Sequence, residues 1–244
     1  MSKVKTFPKR LTMPVMCPAC SRMFDYTVYP EITIPGDSKL KKMVLNKTMF
    51  FPCCPYCGEE FKIKGRCIYR NEKKKEIFIV TESKGEEYET MLKSGDIHLN
   101  DISTDDDVVD FLKGCYTRRV VYDVDAFREK ILLSDYNYDD RIIELMKLSL
   151  SGLIERDSRM PVYRIFLEET AGNQLEFTAI VGRRPPFEYM SIKTAAGVYT
   201  QFKNKYLQKI GNPEDDEYIA TDQKWAARSH LLQEEDMGII IPVN

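Results

Sequence analysis

From Arg22 to Ile34 the chain reads Arg-Met-Phe-Asp-Tyr-Thr-Val-Tyr-Pro-Glu-Ile-Thr-Ile. Aromatic and β-branched residues dominate, which predicts a strand or bent strand. Pro35-Gly36 interrupts it. Asp37 then stands where a helix N-cap is expected, with Leu40, Met43 and Val44 on one face of a short helix to about Lys47. Residues 60–69 and 76–81 flank the polar run Asn71-Glu72-Lys73-Lys74-Lys75 and read as a hairpin. Residues 84–102 are polar and read as a linker or loop.

Helical signals follow. Thr104 with Asp107 three residues on resembles a capping arrangement, and Gly114 can end that helix. Arg118–Tyr122 reads as a strand, and Asp125 opens a helix carrying Phe127, Ile131 and Leu132. A second helix is expected from Asp139-Asp140, because Ile142, Met146, Leu150 and Leu153 recur at helical spacing. Val162–Glu169 and Leu175–Val181 flank Ala-Gly-Asn-Gln as a hairpin. A helix with Tyr199, Phe202, Tyr206 and Ile210 on one stripe then ends at Gly211, and Asp222 caps a last helix containing Trp225. Strands and helices are mixed without regular βαβ alternation, so the expected class is α+β.

A chain of 244 residues has room for one large core or two small ones. Charge divides it. Residues 1–75 hold 16 Lys+Arg against 6 Asp+Glu, leaving 20 against 32 in the remainder. Segregation of this kind suggests separate modules, and a basic module suits an anionic partner, although charge runs also serve as solvated faces. No apolar run reaches the roughly 18 residues of a membrane span. The start, Met-Ser-Lys-Val-Lys-Thr-Phe-Pro-Lys-Arg, lacks the apolar stretch of a secretory signal. The expectation is a cytoplasmic protein with no membrane segment. Seven cysteines in a reducing compartment point to metal or catalysis before disulfides.

Four of them form two pairs, Cys17-Pro18-Ala19-Cys20 and Cys54-Pro55-Tyr56-Cys57, separated by 33 residues. Two residues between cysteines let one tight turn aim both sulfurs at a single ion, and two such turns complete a tetrahedral zinc shell. Gly58 follows the second pair, where a turn needs positive φ; Ser21 stands at the matching place after the first and fits less well. Cys54-Pro55-Tyr56-Cys57 alone also reads as a thiol redox pair. That chemistry normally sits at a helix start after a buried strand. Here Gly58 and an alternating Glu-Glu-Phe-Lys-Ile-Lys follow instead. Zinc on Cys17, Cys20, Cys54 and Cys57 is therefore the preferred reading. Cys53 is one residue out of register and points away from the metal, although it stays open as an alternate ligand. Cys67 and Cys115 are expected as small buried apolar residues.

With Met16-Cys17-Pro18-Ala19-Cys20 and Cys54-Pro55-Tyr56-Cys57-Gly58, the chain resembles the CpXC family of bacterial proteins. The likeness extends through Cys67-Ile68-Tyr69-Arg70-Asn71-Glu72, Arg118-Arg119-Val120-Val121 and Phe127-Arg128-Glu129-Lys130-Ile131 to Asp139–Lys147, over roughly residues 10–150. The resemblance implies a zinc-ribbon-like N-terminal module and no particular activity. It carries over Cys17, Cys20, Cys54 and Cys57 as the motif cysteines, with Cys53 as a departure.

The expected organisation is a basic zinc-ribbon-like module with an inserted helix (1–83), a linker (84–102), a helical region (103–157) and a mixed α+β C-terminal region (158–244). Asp139-Asp140-Arg141 with Glu144 and Lys147 invites an acid–base or metal reading. The same residues suit a helix N-terminus and ordinary i,i+3 pairs, as do Arg128-Glu129-Lys130. His98 and His230 lie in polar segments away from the cysteines, and no phosphate-binding glycine loop is present. Gly182-Arg183-Arg184-Pro185-Pro186 is a basic turn able to meet phosphate, or simply an exposed connection. The functional expectation is a non-enzymatic, zinc-stabilised binding or regulatory protein whose basic module meets a protein partner. A nucleic-acid-binding regulator is the alternative, ahead of a thiol redox protein using Cys54 and Cys57.

Overall fold

The computed structural model describes residues 10–81, 116–210 and 221–232, which fall into two compact units, 10–81 with 116–128 and 129–210 with 221–232. The segment 84–102, the Thr104–Gly114 helix signal, His98, Cys115 and Gly211 lie outside the described residues. Helices and sheets both occur, so the protein is α+β.

In the first unit, β1 (Leu11–Met16) and β2 (Met23–Val28) form an antiparallel pair, with Leu11 opposite Val28 and Met16 opposite Met23. The strand expected over 22–34 is two strands. Pro30 lacks an N–H to continue the ladder, and β3 (Glu31–Ile34) leaves β2 to join a different sheet. That sheet has the order β3-β4-β5-β6, with β4 (Cys67–Asn71), β5 (Glu76–Val80) and β6 (Thr117–Val121). Its outer pairings are parallel and the central β4–β5 hairpin is antiparallel. Ile77, Phe78, Ile79 and Val80 are all buried, which marks a strand covered on both faces. Tyr69 stacks on Phe78 across the hairpin at 5.6 Å.

Helix α1 (Ser38–Leu45) is shorter than expected, because Lys47 adopts a left-handed conformation with φ 61°. Asp37 holds the N-cap position, but its carboxylate accepts from the Thr33 amide at 2.9 Å and caps no helix amide. The β4 limb of the expected hairpin is also shorter. Residues 61–66 form no strand, and Glu60 contributes only a bridge to Cys53.

Helix α2 (Val124–Asp135) opens on Asp123, whose Oδ1 accepts from the Asp125 amide at 2.8 Å. The division between the units falls within this helix, after Arg128. On the first unit's side Phe127 meets Phe50 edge-on at 6.3 Å, and Arg128 Nε donates to the Leu45 carbonyl at 2.8 Å.

The second unit contains α3 (Asp140–Ser158), capped as the sequence implies by Asp139, whose carboxylate accepts from the Arg141 amide. A meander of β7 (Val162–Ala171), β8 (Gln174–Val181) and β9 (Glu188–Ala195) follows. Strand β8 alternates cleanly, with Leu175, Phe177, Ala179 and Val181 turned inward. These residues and Ile165, Leu167 and Ile192 form one core with Ile142, Ile143, Met146 and Leu150 of α3. Tyr199, Phe202 and Tyr206 of α4 (Ala196–Tyr206) and Ala226 of α5 (Gln223–Arg228) complete it. Strand β9 was not expected from the sequence, although Met190, Ile192 and Thr194 alternate inward with Tyr189, Ser191 and Lys193 outward. No helix among the described residues is long and apolar enough to cross a membrane.

Phe177 is fully buried at the centre of the second core. Phe177→Ala is expected to cost about 3–5 kcal/mol in urea unfolding, whereas Leu11→Ala, at a half-exposed site, is expected to stay within about 0.5 kcal/mol.

Candidate functional site

The two Cys-Pro-x-Cys segments are built alike. In each, the residue before the first cysteine pairs across the base of a turn, Met16 with Met23 in one and Cys53 with Glu60 in the other. In each, the first cysteine's amide donates across the turn, from Cys17 to the Arg22 carbonyl (3.0 Å) and from Cys54 to the Glu59 carbonyl (2.8 Å). The residue after the second cysteine then donates back, Ser21 to the Cys17 carbonyl and Gly58 to the Cys54 carbonyl, both at 2.9 Å. That last donor has positive φ in both turns, 57° at Ser21 and 77° at Gly58. Ser21 thus takes the left-handed conformation without being glycine.

These turns bring all four sulfurs within 4.8 Å of one another. Cys17 Sγ lies 3.6 Å from Cys57 Sγ, and Cys20 Sγ lies 3.7 Å from Cys54 Sγ. Four sulfurs about 2.3 Å from a central ion span tetrahedral edges of roughly 3.8 Å. The group can therefore hold a metal ion. Cys17 and Cys54 are buried, Cys20 is partly buried and Cys57 is exposed.

Backbone amides already point at the sulfurs. Burial opposes ionisation of Cys54, but the amides of Tyr56 and Cys57 and the neighbouring thiols outweigh it and bring its pKa down to about 7. The Glu59 amide favours the Cys57 thiolate, yet burial and the thiols of Cys20, Cys17 and Cys54 push that group up to about 12. Without metal, Cys54 ionises before Cys57. Cys53 is outside the group: it occupies the place that Met16 holds in the first turn, is exposed, and directs its thiol to the Gly58 carbonyl at 3.5 Å. Cys67 is a fully buried strand residue whose thiol burial holds well above its ordinary range.

The second charged cluster contains the expected Glu144–Lys147 i,i+3 pair, and it is buried. Glu129, Lys130, Glu144 and Lys147 are all buried in the second unit. Lys147 Nζ donates to Glu129 Oε2 and Glu144 Oε1, both at 2.9 Å. Glu129 Oε1 accepts from the Leu167 amide of β7 at 2.7 Å. Lys130 Nζ donates to Asp140 Oδ2 and to the Thr221 carbonyl, each at 2.8 Å. Arg141 forks onto Asp139, at 3.0 and 2.7 Å, and does not pair with Glu144. Burial disfavours the Lys147 ammonium, but the charges of Glu129 and Glu144 outweigh it and raise its pKa. Burial likewise raises the Glu144 carboxyl against the pull of Lys147 and Lys130, and Glu144 Oε2 has no hydrogen-bond partner among the described residues. Every side chain here comes from Phe127–Lys130 or Asp139–Lys147, but two of the acceptors and donors they need lie beyond Lys147. Sequence spacing showed the charges and could not show what buries them. His230 is exposed and joins neither cluster.

The paired turns and the helical segments that follow them define a class of protein with two Cys-Pro-x-Cys motifs on an α+β frame. The family model described as CpXC protein matches residues 15–147, more than half of the chain, and the chain belongs to the CpXC family. Comparisons with curated proteins and with solved structures gave no match.

Removing one partner from a buried ion pair leaves the other uncompensated. Lys147→Met is expected to destabilise the protein by about 3–5 kcal/mol in urea unfolding, because Glu129 and Glu144 lose their shared cation. Arg156→Ala, which breaks an exposed pair with Asp157, is expected to change stability little.

Proposed function

We propose that this chain is a non-enzymatic binding or regulatory protein whose basic first unit is held together by one zinc ion on Cys17, Cys20, Cys54 and Cys57. The observation that carries the reading is the convergence of four sulfurs, from two turns of the same backbone form, at tetrahedral spacing. Four thiolates suit zinc and close its shell, leaving no position for a reacting water. The ion would act by joining two turns 33 residues apart, so its binding free energy becomes folding free energy, as in a zinc ribbon. The described short approaches run between the turns, Cys17 to Cys57 and Cys20 to Cys54, which favours a shared ion over a redox pair within one turn. A reducing cytoplasm would keep all four thiols available.

The excess of Lys and Arg in residues 1–75 supports partner contact through this unit, with Lys39, Lys42 and the turn Lys73-Lys74-Lys75 exposed. A protein with an acidic face is the first candidate. The same excess favours a second reading, a regulator that binds duplex nucleic acid.

Elemental analysis of the purified protein is expected to give one zinc per chain. Cys17→Ser and Cys57→Ser are each expected to lose it and to lower the thermal midpoint. A metal-free, folded protein with Cys54 and Cys57 in a disulfide would overturn the zinc reading. For the second reading, affinity for duplex DNA or RNA should fall steeply with salt as counterions are released, and absence of binding at low salt would end it.

A further inference from the structure

The sheet of the second unit has one face in the core and one face turned outward. Leu175, Phe177, Ala179 and Val181 of β8 point inward, so Glu176, Thr178 and Ile180 point outward. Ile180 pairs with Arg164 on one side and Tyr189 on the other, which sets these three in a row across the outer face. One step toward the β8–β9 connection, Tyr163 stacks on Phe187 with ring centroids 4.8 Å apart. Tyr189 is 71% exposed and Tyr163 61%, both large rings left in water. The connection itself is Gly182-Arg183-Arg184-Pro185-Pro186, with both arginines exposed, and the Gly182 amide anchors it to the Pro161 carbonyl at 2.9 Å. Exposed Arg159, at the end of α3, precedes that anchor by two residues.

From this arrangement we infer that the outer face of the β7–β8–β9 sheet, at the end carrying the β8–β9 connection, binds single-stranded nucleic acid. Tyr189 and the Tyr163–Phe187 pair are the platforms for unpaired bases, and Arg183 and Arg184 meet the phosphates. Two features select this partner. Flat exposed rings on a sheet face stack on bases only where the bases are unpaired, which a duplex does not offer. Clustered guanidiniums supply the complementary charge, and an acidic peptide would use these without the rings. The acidic groups in this region are mostly engaged. Glu176 is held by Ser191 at 2.8 Å and by Lys193 at 3.5 Å, and Glu155 accepts from the Val162 amide at 2.9 Å. Glu188, the first residue of β9, is exposed, and its negative charge partly offsets the positive charge of this end. The surface belongs to the second unit and does not depend on the zinc reading.

The test is fluorescence anisotropy of the full chain as purified with short labelled oligothymidylate and oligouridylate, a blunt duplex of the same length, and a labelled oligoglutamate. At about 20 mM salt the single strands are expected to bind in preference to the other two probes. Tenfold more salt is expected to weaken them by about 25-fold, the effect of two phosphate contacts. Tyr189→Ser is expected to cost at least about fivefold, with Tyr189→Phe retaining affinity because the ring remains. Arg183→Ala with Arg184→Ala is expected to flatten the salt dependence. The inference is overturned by absence of single-strand binding at low salt. It is equally overturned by equal binding of the duplex or the oligoglutamate, or by an unaltered affinity in Tyr189→Ser. Loss of binding in Lys39→Ala with Lys42→Ala, and not in the arginine variant, would assign it to the first unit instead.

Discussion

The first unit depends on bringing two turns, far apart in sequence, to one point. Thiols about 3.7 Å apart have little attraction for one another, and burial opposes the ionisation of Cys54 and Cys57. Their approach is imposed by the backbone. Each turn closes with the same pair of amide–carbonyl bonds and the same left-handed residue, so each presents its two sulfurs in the same way. A cation is the natural complement, because it converts thiol crowding into four attractive contacts. The β1–β2 pair buries only Val15 and Val28 of its own residues.

The second unit is organised on a different principle. Its core is a one-sided meander against a helix, and apolar burial supplies the driving force. Within that core sits an ionic network that desolvation makes costly unless every partner is in place. Glu129 satisfies both its oxygens, and Lys147 bridges two carboxylates. Glu144 keeps one oxygen without a partner among the described residues, and burial shifts it toward its neutral form. Network and cysteine cluster are thus alike in one respect, since each packs together ionisable groups that a specific counter-charge stabilises.

The cysteine cluster was legible because its determinants are local: two residues between cysteines, and a turn residue with positive φ. The same local reasoning placed α2, α3, α4 and the β7–β8 hairpin. It missed β1, where Pro14 breaks the strand signal and the pairing with Met23–Val28 supplies the order. It joined β2 to β3 because composition does not say which sheet a strand enters. It read Glu144 and Lys147 as an ordinary i,i+3 pair, which they form, but not their burial, since i,i+3 spacing is identical on an exposed helix and a buried one. The Leu167 amide and the Thr221 carbonyl that complete Glu129 and Lys130 come from residues with no sequence signal of that role. Arg183 and Arg184 were visible as a basic turn, but their rings Tyr163 and Tyr189 join them only through strand register.

The network also bears on where the chain can be divided. The family match stops at residue 147, yet Glu129 Oε1 and Lys130 Nζ are completed by main-chain atoms of residues 167 and 221. A fragment cut at the end of the match would keep the charges and discard the groups that accommodate them. The family match and the set of groups that complete this network therefore have different edges in this molecule.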